Sequence, residues 1–348
     1  MMIVGVDISK ATMDEAGLTP KGAITKKSPN SPRGADELYK WACTQQQRHN
    51  LGDDAPLFAM EATGAYHFLM AVILRALGAR VAVIPPQVVA AFREVLMKTS
   101  KSDPGDAVVI AMCAQSLLSL GQLREFTPPP DALLELKALM KRLVDLTGHI
   151  AKERIALKEH QRYVCWLGVS ASLLRAIAWL EAEKEALQDE IENFYKVAAH
   201  ASLKEDRELL FTIPGVGPQA ADHLICLVRS RENVTPRQAA ALAGVVPRNK
   251  DSGTSVHAPA HITKEGDARV RAGLYLPTMS AVQTDAFRDF YEGHIASGKS
   301  KKSSTIISLA KLVRTSTGML RNRTPFDAAR VRARAKALPR ATAHRRAA

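Results

Sequence analysis

The order of apolar and polar positions divides the chain into a strand-and-helix part and a helical part. Residues 3–6 (IVGV) are a short apolar, β-branched run that ends in a small polar turn, which predicts a strand. Residues 12–18 and 23–27 flank Pro20-Lys21-Gly22, a turn signal, and suggest a hairpin, although their alternation is weak. Residues 31–47 read as a helix opened by Ser31 as N-cap and Pro32 at the first helical position. The pattern then predicts a strand over 57–60, a helix over 66–77, a strand over 80–84, and helices over 87–97 and 106–120. Three early strands followed by alternating helices and strands give a mixed sheet with helices on its faces.

After Thr127-Pro128-Pro129-Pro130 the pattern changes. From 133 to about 195 it is helical, with few glycines. Leu136, Met140, Leu143 and Ile150 line one stripe. Leu173, Ile177, Leu180, Leu187, Ile191 and Phe194 follow a 4-3 spacing that Lys184 interrupts. Such a stripe resembles a coiled-coil seam. It closes either between copies of the chain or within a helical hairpin, and the charges flanking it favour self-association. Residues 209–221 (LLFTIPGVGPQAA) have the look of a helix-hairpin-helix, whose glycine turn brings backbone N–H groups to a phosphate. The other reading is a tight turn between packed helices. Residues 238–246 form a small-residue helix ending at Gly244.

Composition narrows the functional classes. The 348 residues carry a net charge of +13, and residues 301–348 hold thirteen Lys or Arg against one acid, Asp327. A segment of that kind suits a polyanion, with nucleic acid as the default. The last residues, 330–348, are expected to form a disordered basic tail, and their repeated Arg-x-Arg favours phosphate contact. Cys43, Cys113, Cys165 and Cys226 stand singly, so a zinc ribbon or disulfide framework is not expected. They read as small buried apolar residues in a reducing cytoplasm. The longest apolar run, 68–84, is broken by Arg75, Gly78 and Arg80, so no membrane span is expected.

Four acids carry the candidate chemistry. Asp7 follows the first apolar run, Glu61 ends another, and Asp103 and Asp106 share a helix face three residues apart. Carboxylates at strand ends and on one helix turn suit hard Mg²⁺ or Mn²⁺, which take oxygen ligands. A two-metal site for phosphoryl chemistry spans roughly 4 Å. A second candidate lies in residues 247–264. Ser252, Thr254 and Ser255 sit there among Arg248, Lys250, His257, His261 and Lys264, with Arg269 and Arg271 on the following helix. A hydroxyl amid cations can attack a phosphodiester, because the cations stabilise charge developing on the phosphorus oxygens. Spacing alone does not choose among the three hydroxyls. A zinc pair at His257 and His261 lacks a third ligand. With Lys299, Lys301 and Lys302, the cations of this region are the candidate nucleic-acid contacts.

The element order is that of a ribonuclease H-like domain, and the motifs resemble a specific family. Gly5-Val6-Asp7-Ile8-Ser9-Lys10, Glu61-Ala62-Thr63-Gly64-Ala65-Tyr66 and Lys101-Ser102-Asp103-Pro104-Gly105-Asp106-Ala107 are followed by Ile213-Pro214-Gly215-Val216-Gly217, Leu242-Ala243-Gly244-Val245-Val246-Pro247-Arg248 and Ser252-Gly253-Thr254-Ser255. In that order they resemble bacterial insertion-sequence transposases with an N-terminal DEDD, RuvC-like domain and a serine-bearing C-terminal domain, to which Piv-type DNA invertases are related. The resemblance runs over roughly residues 2–330. It implies that Asp7, Glu61, Asp103 and Asp106 hold Mg²⁺ and that Ser252 forms a covalent 5′-phosphoserine link to DNA. It also implies a structured guide RNA from the same element and a dimer or tetramer with a composite site, in a cytoplasmic, nucleoid-associated enzyme. Ser102 stands where Thr is common in the family.

The expected organisation is a RuvC-like domain over 1–125, a helical coiled-coil segment over 126–200, a serine transposase domain over 201–329 and the basic tail. A metal-dependent nuclease or junction resolvase, with water as nucleophile and Ser252 structural, is the alternative. A small-molecule kinase of the actin-like fold would need glycine-rich phosphate loops in the second half. A non-catalytic nucleic-acid binder leaves the four acids unexplained, since acids repel phosphate without an intervening metal.

Overall fold

The computed structural model describes residues 1–62, 66–96, 103–162, 167–252 and 256–331, and gives the backbone alone for 103–104, 167, 248–252 and 256–260. The chain forms two compact units, Met1–Pro128 and Pro129–Ala348.

The first unit is built on one mixed sheet. β1 (Ile3–Ile8), β2 (Thr12–Thr19) and β3 (Gly22–Pro29) form an antiparallel meander. β4 (Leu57–Glu61) and β5 (Arg80–Ile84) add in parallel, giving the order β3-β2-β1-β4-β5. The hairpin expected from weak alternation is therefore a full pair of eight-residue strands. α1 (Pro32–Arg48), capped by the Ser31 hydroxyl accepting from Gly34 N–H, links β3 to β4, α2 (Tyr66–Ala76) links β4 to β5, and α3 (Pro86–Val95) and α4 (Asp103–Ser119) follow β5.

The two faces of β1 go to different cores. Val4, Val6 and Ile8 pack with Leu38, Ala42 and Phe58 under α1 and α2. Ile3 packs on the opposite face with Leu57, Ala59, Ala82 and the α4 residues Val109, Ile110 and Cys113. α4 lies directly on Gly5. A Cβ there would stand 2.0 Å from the Ala107 carbonyl oxygen and 2.5 Å from Ala111 N. No other residue allows that approach without moving the helix.

The second unit is helical apart from one hairpin. α5 (Asp131–His160) and α6 (Leu167–Phe194) form a long antiparallel pair. Leu136, Met140, Leu143 and Leu146 of α5 are buried in one core with Leu187, Ile191 and Phe194 of α6. The C-terminal part of the stripe expected to favour self-association, from Leu180 to Phe194, is thus closed within one chain, as the hairpin reading had it. α7 (Ala201–Phe211), α8 (Pro218–Val228) and α9 (Pro236–Leu242) continue that core. β6 (Pro247–Ser252) and β7 (Val256–Ile262) form the hairpin, followed by α10 (Ala268–Ala281), α11 (Asp285–Ala296) and α12 (Lys301–Asn322). Among the described cysteines, Cys113 and Cys226 are buried as expected, whereas Cys43 is only half-buried. Among the described residues no helix is long and apolar enough to cross a membrane.

Candidate functional site

β1, the central strand, carries Asp7 one residue before its C-terminal end, on a face set by the two-residue period of a strand. With Val4, Val6 and Ile8 on the α1 face, Asp7 shares the α4 face with Ile3 and Gly5. β4 runs parallel in register, with Val6 opposite Met60. One residue further, Asp7 and Glu61 stand on neighbouring strand ends and on the same face. Strands lie about 4.8 Å apart, which sets the scale of their separation. Both are half-buried.

α4 brings the third position. Ala107 and Ala111 lie against Gly5 in the middle of β1, and Leu117 and Leu118 near the other end of α4 join the core that holds Ile3, Met1 and Leu18. The first turn of α4 therefore lies toward the ends of β1 and β4, where Asp7 and Glu61 are. Asp106 belongs to that turn, is 19% exposed, and pairs with Arg93 of α3 at 2.7 Å. Asp103 is the first residue of α4, and its side chain lies outside the described residues. Among the described residues no group of three or more His, Cys, Asp or Glu stands close enough to hold a metal. The donor chemistry still suits a hard divalent cation: carboxylates alone, on two strand ends and one helix turn at one end of a single sheet.

Two neighbours were not foreseen. Asp14 is the register partner of Asp7 across the antiparallel β1–β2 pair, so its side chain shares that face, and Lys27 of β3 binds it at 3.2 Å. Arg93 lies thirteen residues from Asp106 across the connection between α3 and α4. Strand register supplies the first and helix packing the second, and neither leaves a mark in local sequence.

The hydroxyl site sits at the end of a hairpin. Ser252 is the last residue of β6, paired through its backbone with Val256, while Asp251 pairs with His257 and Arg248 with His261. A register shift between Arg248 and Lys250 breaks the ladder. The side chains of Ser252, Arg248, Lys250 and His257, and the rival hydroxyls Thr254 and Ser255, lie outside the described residues.

The remaining candidate cations take different positions. Lys264 is exposed in the left-handed region at φ 55°. Arg269 is exposed, 3.9 Å from Asp145. Arg271 turns inward and donates to the carbonyls of Ala243 and Gly266 at 3.2 and 3.0 Å, so its guanidinium anchors the loop after α9. Lys299, Lys301 and Lys302 are exposed around the N-terminus of α12, which Ser300 caps. Cations there add to the positive end of the helix dipole, an unfavourable arrangement alone and a favourable one beside phosphate. The Ile213–Gly217 turn has its backbone pressed on α10: at φ 87°, a Cβ on Gly215 would meet Ala281 N at 2.6 Å. Close packing accounts for that glycine.

Comparison with known proteins places these positions in context. Residues 4–163 match the model of a DEDD transposase family of the IS110 type, and residues 207–292 match the Transposase IS116/IS110/IS902 family. The chain is 27% identical over 328 residues to the pilin gene-inverting protein of Moraxella lacunata, covering 93% of this chain and 97% of that one. The corresponding protein of Moraxella bovis is 26% identical over the same shares. The Insertion element IS110 uncharacterized 43.6 kDa protein of Streptomyces coelicolor is 27% identical over 121 residues, 34% of this chain and 30% of that one. Among solved structures, Thermus thermophilus RuvC aligns over 36% of this chain and 100% of its own, at 16% identity and a TM-score of 0.26.

Proposed function

We propose that the chain is an IS110-type transposase, a DNA recombinase that cleaves and rejoins strands through a serine ester. The observation that carries this reading is the gathering of Asp7, Glu61 and the first turn of α4 at one end of the sheet, within the segment that matches the DEDD transposase model. Two full-length relatives are named for inverting a gene segment, an outcome that requires cutting and rejoining of DNA.

Asp7, Glu61, Asp103 and Asp106 would hold Mg²⁺ or Mn²⁺. When bound, such an ion neutralises charge on the phosphoryl oxygens and positions the strand. Ser252 is the proposed nucleophile. Its Oγ forms a bond to phosphorus as the bond to the leaving 3′-oxygen breaks. The serine proton is lost, the leaving oxygen gains one, and a 5′-phosphoserine ester remains. Rejoining reverses the step with a 3′-hydroxyl from another strand. Arg248, Lys250, Lys264 and Arg269 would screen the phosphates nearby, with Lys299, Lys301 and Lys302 as further contacts. An element-encoded guide RNA and assembly into dimers or tetramers complete the proposal. Leu180 to Phe194 of the α6 stripe are closed within the chain, so assembly would use surfaces outside that stretch.

The second reading is a RuvC-like nuclease or junction resolvase using water. The acid positions favour it equally, since they would serve either nucleophile. Covalent capture separates the two. Protein, Mg²⁺, element RNA and end-labelled DNA from an element end are mixed and run on a denaturing gel. The recombinase reading expects a protein–DNA adduct that Ser252→Ala abolishes and Thr254→Ala and Ser255→Ala retain. Metal-dependent cleavage without an adduct, unchanged in Ser252→Ala, would replace it with the nuclease.

A further inference from the structure

The second unit contains a groove that none of the proposed chemistry uses. Its volume is about 1220 Å³, above the roughly 300–1,000 Å³ of small-ligand pockets. α9, α11, α12 and the segment after α12 form its walls. One face of α12, marked by Ile307, Lys311, Arg314 and Gly318, runs along it at helical spacing.

Three observations say what the groove takes. The first is charge. Arg237, Lys311, Arg314 and Arg330 border it, against one acid, Asp327, which pairs with Arg330 at 3.3 Å. Arg237 and Arg314 are exposed, and among the described residues neither makes an ion pair. α12 contains no acid. The second is an aromatic face among those cations. The Phe290 ring lies in the groove, with Lys311 Nζ 5.5 Å from its centroid and His294 edge-on at 4.8 Å. The third is Gly318. It sits inside α12, where glycine costs about 1 kcal/mol relative to alanine, and a Cβ there would meet nothing within 4 Å. The fold does not need that glycine; the groove is wider because of it.

We infer that this groove binds an unpaired polynucleotide strand, with phosphates on Arg237, Lys311 and Arg314 and a base against Phe290. Cations tracking a backbone beside an aromatic face are the general arrangement for single strands, where each stacked base contributes about 1–3 kcal/mol. The inference rests on the recombinase reading, because Pro247, the first residue of β6, lines the groove while Ser252 ends the same strand. Five residues of strand place the serine about 17 Å further on. The groove would therefore hold the strand at a distance from the reacting phosphate.

Fluorescence anisotropy of the full-length protein tests this, with labelled oligothymidylate, oligouridylate and a GC-rich duplex as probes. Gly318→Leu fills the groove without changing charge. It is expected to weaken single-strand binding at least fivefold with no fall in Tm, since leucine is the better helix former. Arg237→Ala with Arg314→Ala is expected to lower the salt slope for oligothymidylate by about 1.4, two phosphates at about 0.7 each. A larger loss on oligouridylate than on oligothymidylate would identify RNA as the strand, and the reverse would identify DNA. Unchanged single-strand affinity in Gly318→Leu at wild-type Tm, or an unchanged slope in the arginine pair, would overturn the inference. So would an equal loss on duplex. Normal groove variants alongside a Ser252-dependent adduct would reject the groove and keep the recombinase. Groove-dependent binding without any adduct would do the opposite.

Discussion

Asp7 and Glu61 place two carboxylates on one face of neighbouring strands, the oxygen-donor arrangement that a hard divalent cation takes. Asp7→Asn is expected to abolish strand cleavage while the fold and nucleic-acid binding persist. Mn²⁺ should raise the Tm of the wild type and leave that of the variant unmoved. Equal Mn²⁺ shifts in both proteins would show that Asp7 is not a ligand. Glu15 gives a separate handle on the same sheet. It faces the other core, opposite Val6, and is 1% exposed. Burial pushes its carboxyl up to about 7, against the pull of Ser28, Lys26 and Lys27. A raised acid favours the folded state fully below the unfolded value near 4.5. That contribution is lost as pH rises from there to about 7, by up to about 3 kcal/mol. Glu15→Gln should flatten the fall of stability over that window, read from denaturation curves at pH 5 and pH 8.

Helices of the second unit are tied together by buried charge as well as by apolar packing. Tyr195 Oη donates to Asp222 at 2.7 Å, and Arg207 lies 3.0 Å from Asp222 while gripping Glu192 with two hydrogen bonds. These interactions join α6, α7 and α8. Asp222→Ala would leave a buried guanidinium and a buried hydroxyl short of an acceptor, which costs about 3–5 kcal/mol for a broken buried pair. Chemical denaturation should show the destabilisation, and Asp222→Asn should show a smaller one. Along the α5–α6 pair, Leu143→Ala should cost about 2–5 kcal/mol because Leu143 is 3% exposed within the shared core.

The charge of the whole molecule is concentrated at its end, and part of that end belongs to the folded core. Phe326 stacks on Phe287 at 5.8 Å and its N–H donates to Thr212 Oγ1, while Val331 is buried. A truncation after Thr324 would remove core along with charge. Truncation after Val331 removes six Lys or Arg and no acid, and residues 332–348 lie outside the described residues. That shorter chain should keep its Tm and bind duplex DNA with a shallower salt slope, by about 0.9 for each phosphate that the tail neutralises in the full chain. An unchanged slope would make the tail irrelevant to binding.

Local chemistry made much of this protein legible before folding. The apolar run 3–6 and the polar residues after it set a strand that ends one residue past Asp7, and Ser31-Pro32 opens a helix, because both signals act within a few residues of chain. The four acids and the Ser252 segment were visible for the same reason, as residue types in short motifs. Pairing between distant segments was not. Asp14 meets the Asp7 face only through antiparallel register, and Arg93 meets Asp106 only through the packing of α3 and α4. Whether the Leu180–Phe194 stripe met another copy or its own chain depended on the partner surface, and α5 supplied it. The Gly318 groove follows from the same cause. Its walls come from residues about 80 apart in the chain, so its shape exists only once α9, α11 and α12 have packed.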